Sequence, residues 1–518
     1  MSAELKYRPL DNVGLNGLNL QANPAALDPS WLTKADNIVL RESGRISFRK
    51  GLKQNVLKTS AKIGAIGENG TGVVVAAVGT SMYTVDFSTP NTPWTAAYAT
   101  GGSASDWQII DFNRELYCVQ AGHIPIELDG TTWAALPATS GYNAPSGVTT
   151  FNPSCGMGFY GRLWVGGITE EKDVVYYSDL LNAHKWSSGS AGAVDLKSVW
   201  GTDDIVAIAP FYGKLVIFGK SNIVIYNGPD EPSTMILDEV ISGIGCVSRD
   251  SIQSVGDDLY FLSSTGVRSL SRTTEKDNVP LQDLSLTIKD TIIRNISQST
   301  DTKAVYVEDE GMYVLSFTAL NITYVFDTKH QTPSGTPRIT TWSFAGDTGP
   351  ASFAYTDSKG FLIGQQAGSI ATYEGYYDKV YVSGGTYTDA SYTSSFKSTW
   401  IDLGEGAVSS LLKKLKAIIS GGAGTTIGVK WYKDFDVTPS NTTNFMLNPA
   451  SSGTTSLFGA SASLYGASKY APVFGMKEYN VPLAGSAKYL QVELSGQTAG
   501  TTASLQDMTL LYKQGKIR

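Results

Sequence analysis

Four runs of carboxylates, Glu170-Glu171, Asp203-Asp204, Asp257-Asp258 and Glu308-Asp309-Glu310, are the groups of this 518-residue chain best suited to acid–base work. Glycoside hydrolysis needs two carboxyls roughly 5–10 Å apart across a sugar, one to give a proton and one to attack or to activate water. Adjacent acids point in different directions, however, and these flank turn glycines, where solvated acids are ordinary. Cys118, Cys155 and Cys246, and His123, His184 and His330, are scattered. They suggest no disulfide framework, zinc spacing or nucleophile–base pair, and folding in a reducing compartment is expected. Cys118, beside Tyr117 in a strand-like run, reads as core. Gly156-Met157-Gly158-Phe159-Tyr160-Gly161 matches the dinucleotide fingerprint literally. A strand follows it, where a helix N-terminus would have to receive the pyrophosphate. No phosphate-loop, nucleophile-elbow or His-Glu-x-x-His pattern occurs. No catalytic, cofactor-binding or metal residue is therefore assigned, and the chain reads as a non-enzyme.

Charge offers a second kind of site. Net charge is −7, which disfavours a generic nucleic-acid grip. Residues 1–58 nevertheless hold nine Lys or Arg against five Asp or Glu, so a basic segment precedes a body of net −11. Its cluster is Arg41, Arg45, Arg49 and Lys50. Alternation through Arg45-Ile46-Ser47-Phe48-Arg49 puts Ile46 and Phe48 on one face of a strand and both arginines on the other. That face is either simply solvated or an ion-pairing surface for an acidic partner. Two further candidate partner contacts, Phe458 and Tyr465, sit in the twice-used phrases Leu457-Phe458-Gly459-Ala460-Ser461 and Leu464-Tyr465-Gly466-Ala467-Ser468. Aromatics on a long small-residue loop (448–475) gain little until something covers them.

The elements that must carry these groups are strands. Charged residues are only 17% of the chain, while Gly (54), Tyr (27), Phe (18) and Trp (10) are abundant, the mixture of a turn-rich β protein. A two-strand phrase recurs seven times. Its clearest copies are Phe159-Tyr160-Gly161-Arg162-Leu163-Trp164-Val165 and Phe211-Tyr212-Gly213-Lys214-Leu215-Val216-Ile217. Anchors at Val73, Leu116, Leu163, Leu215, Leu259, Tyr313 and Phe361 are spaced 43 to 54 residues apart, with a mean of 48. Four short strands with their turns need roughly 40–50 residues, a propeller blade. The expected fold is all-β: a β-propeller of six to eight blades over 61–384, whose closing blade can borrow strands from both ends. A run of unrelated sandwiches is the alternative. Leu284, Ile288, Ile292 and Ile296 predict one inserted amphipathic helix over about 281–297, packed outside a blade. Residues 385–518 read as an antiparallel β-sandwich platform, which the 1–60 segment joins. The longest clean apolar run, Val73 to Val78, is six residues, far short of the roughly 20 of a membrane span.

The stretch from Ala35 to Gly51 (ADNIVLRESGRISFRKG) resembles the N-terminal signature of the tail nozzle proteins of short-tailed bacteriophages, also called hub, packaged-DNA stabilisation or tail tubular proteins. The shared features are Asn37 before an apolar strand, Arg41, the turn Gly44 and Arg49-Lys50-Gly51. The order of propeller repeats, embedded helix, sandwich and basic tail (Lys513 to Arg518) is similar in plan. The resemblance implies a virion structural protein, assembled in the host cytoplasm and needing no cofactor. Six copies would form a ring below portal and adaptor. They would carry a tail fibre, needle or plug and pass double-stranded DNA through the lumen without sequence-specific binding. Six such chains carry −42, a wall along which DNA would slide rather than stick. Removing residues 1–58 would then abolish docking to the adaptor and leave the propeller folded. The competing class is a carbohydrate-binding or carbohydrate-active propeller, with Trp and carboxylates clustered at one mouth.

Overall fold

The computed structural model describes residues 5–40, 45–54, 61–88, 98–100, 106–271, 283–299, 301–344, 349–383, 386–403, 408–422, 425–447, 474–498 and 500–515. Its fold is mostly β, a propeller with a sandwich beside it. Blades 1 to 4 occupy residues 63–99, 108–135, 155–195 and 205–242, each a four-stranded antiparallel meander. A three-stranded sector follows at 253–269, then blade 5 at 302–342 and blade 6 at 350–373. The first strands of these units lie side by side around one axis, and that of blade 6, Pro350–Thr356, returns to that of blade 1, Ile63–Glu68. Ser352 Oγ donates to the Ile63 carbonyl at 2.8 Å across this closure. Blade 6 takes its fourth strand, Leu52–Gln54, from the N-terminal segment, antiparallel to Ile370–Tyr373. There are thus six full blades, and the closing one does borrow from both ends of the chain. Residues 52–54 belong to it, so a deletion of 1–58 would open the propeller as well as strip the platform.

The seven anchors fall on, or one residue before, the second strands of these units. Second strands are buried on both faces, as in Val74–Val78 and Leu215 to Gly219, because the neighbouring blades cover both sides. Continuous apolar runs, rather than alternation, are the consequence. Phe-Tyr-Gly is the hairpin between first and second strands. Tyr160 (φ 46°) with Gly161 (67°), and Tyr212 (46°) with Gly213 (75°), form two-residue turns with positive φ at both positions.

The three-stranded sector explains the helix. Its outer strand, Gly266–Ser269, would otherwise expose an edge. The Leu284 amide donates to the Val267 carbonyl (2.8 Å) and the Val267 amide to Ser285 Oγ (3.1 Å), so residues 283–285 stand where a fourth strand would be. A 3-10 turn, Leu286–Ile288, and the α-helix Lys289–Gln298 follow. The helix is shorter than its sequence period suggested, and residues 281 and 282 lie outside the described residues. The helix lies outside the sector's outer strand as expected, with Asp290, Arg294, Ser297 and Gln298 exposed on its far side. Leu284, Ile288 and Ile292 are fully buried in the largest core cluster, with Tyr313 and Phe326 of blade 5 and Leu415 and Trp431 of the sandwich.

The sandwich is built from both chain ends. One sheet runs Ile38–Leu40, Ile46–Phe48, Ala503–Gln514, Ser410–Gly422 and Phe474–Pro482, with Leu5–Pro9 also pairing along Ala503–Gln514. The other runs Trp31–Asp36, Tyr392–Ser398, Tyr489–Thr498, Thr426–Lys433 and Asn441–Met446. This second sheet does not stop at the sandwich. Gly17–Leu18 pairs in parallel with both Trp31–Asp36 and the outer strand of blade 5, Pro337–Trp342, and Thr341 faces Asp36 directly. Blade 5 and the sandwich therefore share one eleven-stranded sheet.

Candidate functional site: the propeller–platform junction and the propeller axis

Asn37 sits at the corner where the chain leaves Trp31–Asp36 for the opposite sheet, in the left-handed region (φ 54°) that Asn tolerates better than most residues. Its side-chain amide donates to Ser343 Oγ (2.8 Å) and the Thr393 carbonyl (2.7 Å). Its Oδ1 accepts from the Ser343 amide (3.0 Å) and from Arg49 Nε (2.9 Å). Arg49 is 0% exposed. Its guanidinium grips Asp378 through both terminal nitrogens (3.1 and 3.0 Å) and donates to the Lys50 carbonyl (2.8 Å). It also lies 3.9 Å from the centre of the Tyr392 ring. Burial works against the charge on Arg49, but the Asp378 carboxylate beside it raises the Arg49 pKa on balance. Two residues on, a Cβ at Gly51 would come within 2.1 Å of the Tyr377 carbonyl oxygen, so only glycine fits. Asn37, Arg49 and Gly51 together tie the N-terminal segment, the exit of blade 5, the strand after blade 6 and the sandwich into one knot.

This corrects the expectation for Arg49 as a partner contact. Alternation did place Ile46 and Phe48 inward, but the far side of the strand end is covered by Asp378 and Tyr392 rather than by water. Lys50 is half-exposed and ion-paired with Glu310, and Tyr373 Oη accepts its amide hydrogen at 3.1 Å. Arg45 is exposed. Arg41, Phe458 and Tyr465 lie outside the described residues, as do positions 448–473 of the long loop and 516–518 of the basic tail. Nothing in the spacing of the sequence marked Asp378 as the partner of Arg49, 329 residues away.

A second polar centre was also not marked. At the propeller axis, Lys303 of blade 5 meets Asp106 (2.8 Å) and Asp250, while Arg249 meets Asp250 (2.9 Å) and Asp106 (3.1 Å). Arg249 also donates to the Ser154 carbonyl. The network bridges blades 2, 3 and 5 and the three-stranded sector. The two cations hold the Asp250 carboxyl well below the ordinary carboxylate range, and the acids hold Lys303 above its ordinary value. Open spaces along the inner strands include one of about 210 Å³ beside the ion pairs, lined by Ile66, Trp107 and Phe353 among others, and one of about 420 Å³ that also reaches Ile66 and Phe353. They admit small molecules but no DNA duplex, whose major groove alone is about 12 Å wide.

Several members of the carboxylate runs are engaged by neighbouring backbone and side-chain donors. Asp203 accepts the amides of Asp204, Lys220 and Ser221 at 2.8–3.0 Å, and Asp204 pairs with Lys220 (2.6 Å). Glu170 accepts the Thr149 amide (3.0 Å), Glu171 the Tyr176 hydroxyl, and Asp258 the Leu259 and Ser271 amides. Cys118, Cys155 and Cys246 are buried, and desolvation pushes each thiol up to about 12. His184 Nε2 bridges blades 3 and 2 by meeting Glu127 at 2.7 Å. Gly156 and Gly158 lie in a strand whose Cβ positions would strike the Trp164 and Asp111 carbonyls (2.6 and 2.9 Å). Close backbone approach accounts for them, and no helix follows. Among the described residues no group of three metal-ligating side chains converges. No helix among them is long and apolar enough to cross a membrane.

No protein-family model and no curated protein matches the chain. Solved structures do. A chain of the mitotic checkpoint complex is 10% identical over 63% of this chain and 95% of its own (TM-score 0.42). The extracellular domain of a one-component system of B. thetaiotaomicron is 11% identical over 83% and 60% (0.42). The WD40 β-propeller domain of Doa1 is 11% identical over 62% and 98% (0.36). At such identities the likeness concerns the fold alone.

Proposed function

We propose that this chain is a structural component of the tail of a short-tailed phage. In this reading its copies form a nozzle ring that continues the DNA channel below portal and adaptor, helps to retain the genome and then lets it go. The observation that carries the reading is the eleven-stranded sheet running from blade 5 into a base made from both chain ends. A sheet shared in this way holds the propeller at a fixed angle to its base, which suits a mechanical part. The occupied axis supports a conduit between subunits rather than through each propeller. Five of the nine described tryptophans, Trp107, Trp164, Trp186, Trp342 and Trp431, are at most 2% exposed and pack as core rather than as a sugar-stacking platform, while Trp31, Trp133, Trp200 and Trp400 are part-exposed. Adaptor, fibre, needle or plug proteins would be its neighbours, and the virion tail its place.

Imaging of the purified full chain, alone and with the adaptor, tests this. A closed ring, six-fold and with a through-channel, is the expected result, its interfaces heterologous and closing by rotation. Particles that stay monomeric at every concentration and with the adaptor would sink it. Deleting residues 1–9 removes the edge strand Leu5–Pro9 while sparing the blade-closing strand. Loss of adaptor docking with an intact propeller is expected.

A further inference from the structure

Between blade 5 and the N-terminal hairpin strands Ile38–Leu40 and Ile46–Phe48 lies a cleft of about 360 Å³. Val39, Leu40, Met312 and Val325 give it apolar wall. Arg338 lines it and is 7% exposed, yet its Nε and Nη1 have no hydrogen-bond partner among the described residues. Buried guanidinium donors are rarely left so. The obvious intramolecular acceptor makes its hydrogen bonds elsewhere, although its charge acts on Arg338. Asp327, directly across the strand pair from Arg338, accepts the Lys329 and His330 amides at Oδ1 (3.0 and 3.3 Å) and meets His330 Nδ1 at Oδ2 (3.1 Å). Lys329 Nζ donates to the Asp309 carbonyl (2.7 Å), and Glu310 pairs with Lys50. Arg45, exposed at the rim, has no ion-pair partner among the described residues.

We propose that this cleft binds a monocarboxylate on a short apolar stem, held by Arg338 with Arg45 as the second cation. A planar carboxylate matches guanidinium donors two at a time. The cleft volume is at the lower end of small-ligand sites and suits such a stem. The formal charges of its lining balance, Arg45, Lys329 and Arg338 against Asp309, Glu310 and Asp327, so no surplus cation is left to offset a second negative charge on a ligand. This inference does not depend on the ring. The carboxylate can be that of a small organic acid or of a Glu side chain on another polypeptide.

Saturation-transfer NMR on the full chain, titrated with isovalerate, its neutral isostere isovaleramide, inorganic phosphate and the capped peptide acetyl-Val-Glu-Val-amide, tests the site. Isovalerate should bind with a dissociation constant on the order of millimolar, at least tenfold tighter than the amide and tighter than phosphate. Arg338→Met should lose at least tenfold. Should that variant fold poorly, Arg45→Glu, a surface change, should still weaken isovalerate at least fivefold with the fold intact. Peptide tighter than isovalerate assigns the carboxylate to a partner chain, and the reverse to a free acid; both keep the site. Equal binding of acid and amide, phosphate binding best, or isovalerate binding unchanged in the variants overturns it.

Discussion

Replacing Arg49 with Met keeps side-chain length and removes the charge at the knot between propeller and platform. Five hydrogen bonds from the guanidinium disappear, two of them to the Asp378 carboxylate. Asp378, 7% exposed in its side chain, would keep the Leu52 amide (3.0 Å) as a donor but lose its countercharge. Removing one partner of a buried pair costs about 3–5 kcal/mol, mostly because the other charge is left uncompensated. Leu52 begins the strand that closes blade 6, so the loss should be felt there first. Native-state hydrogen exchange at Leu52 and at Ile370 to Tyr373 should show protection falling by roughly two to three and a half orders of magnitude, at about 1.4 kcal/mol per tenfold. Exchange suits a 518-residue chain better than a single melting curve, which assumes a two-state transition. Asp378→Asn should do comparable damage, and Arg49→Met/Asp378→Asn together less than the sum. Strictly additive losses, or protection reduced less than tenfold in either single variant, would refute the account of this pair.

Other consequences are open to test. Gly51→Ala should destabilise the same strand, because the added methyl meets the Tyr377 carbonyl at 2.1 Å; unchanged exchange at Leu52 would contradict that. The Asp250 carboxyl has a depressed folded pKa, so the unfolded chain binds its proton more tightly. Its contribution to stability is complete above the unfolded value of about 4 and is lost as pH falls through the lower folded value. Native-state hydrogen exchange around Lys303, compared between wild type and Asp250→Asn at each pH from about 5 to about 2.5, should therefore show a steeper acid loss of protection in the wild type, and parallel curves would count against it. The three thiols, buried and raised to about 12, should resist iodoacetamide in the native protein at pH 8 and react after denaturation. Mass spectrometry showing native alkylation would contradict their placement.

The propeller was legible because blade strands must be apolar on both faces, and runs such as Leu215 to Phe218 announce that from sequence. The recurring two-strand phrase located the seven anchors, and the irregular steps around Leu259 correspond to a unit whose fourth strand is replaced by residues 283–285 and a helix. The helix and its buried face were visible as a four-residue period, but not what covers that face, since Ile288 and Ile292 meet strands of the sandwich far along the chain. Arg49 shows the limit most plainly. Local alternation correctly puts it opposite Phe48, and only Asp378 and Tyr392, more than 300 residues later, turn that outer face into an interior. The charges at the propeller axis were invisible for the same reason, because Asp106, Arg249 and Lys303 meet only after the ring of blades has closed.

The shared eleven-stranded sheet has a mechanical corollary. Domains joined by a linker can swivel, and interdomain motion is the usual expectation for modest interfaces. Here a swivel between blade 5 and the sandwich would have to break the pairings of Gly17 with Ile339 and of Asp36 with Thr341, and drag the helix out of the common core. A load applied to the propeller rim should therefore arrive at the base as torque on the whole body. Any give in the molecule would have to come from its loops.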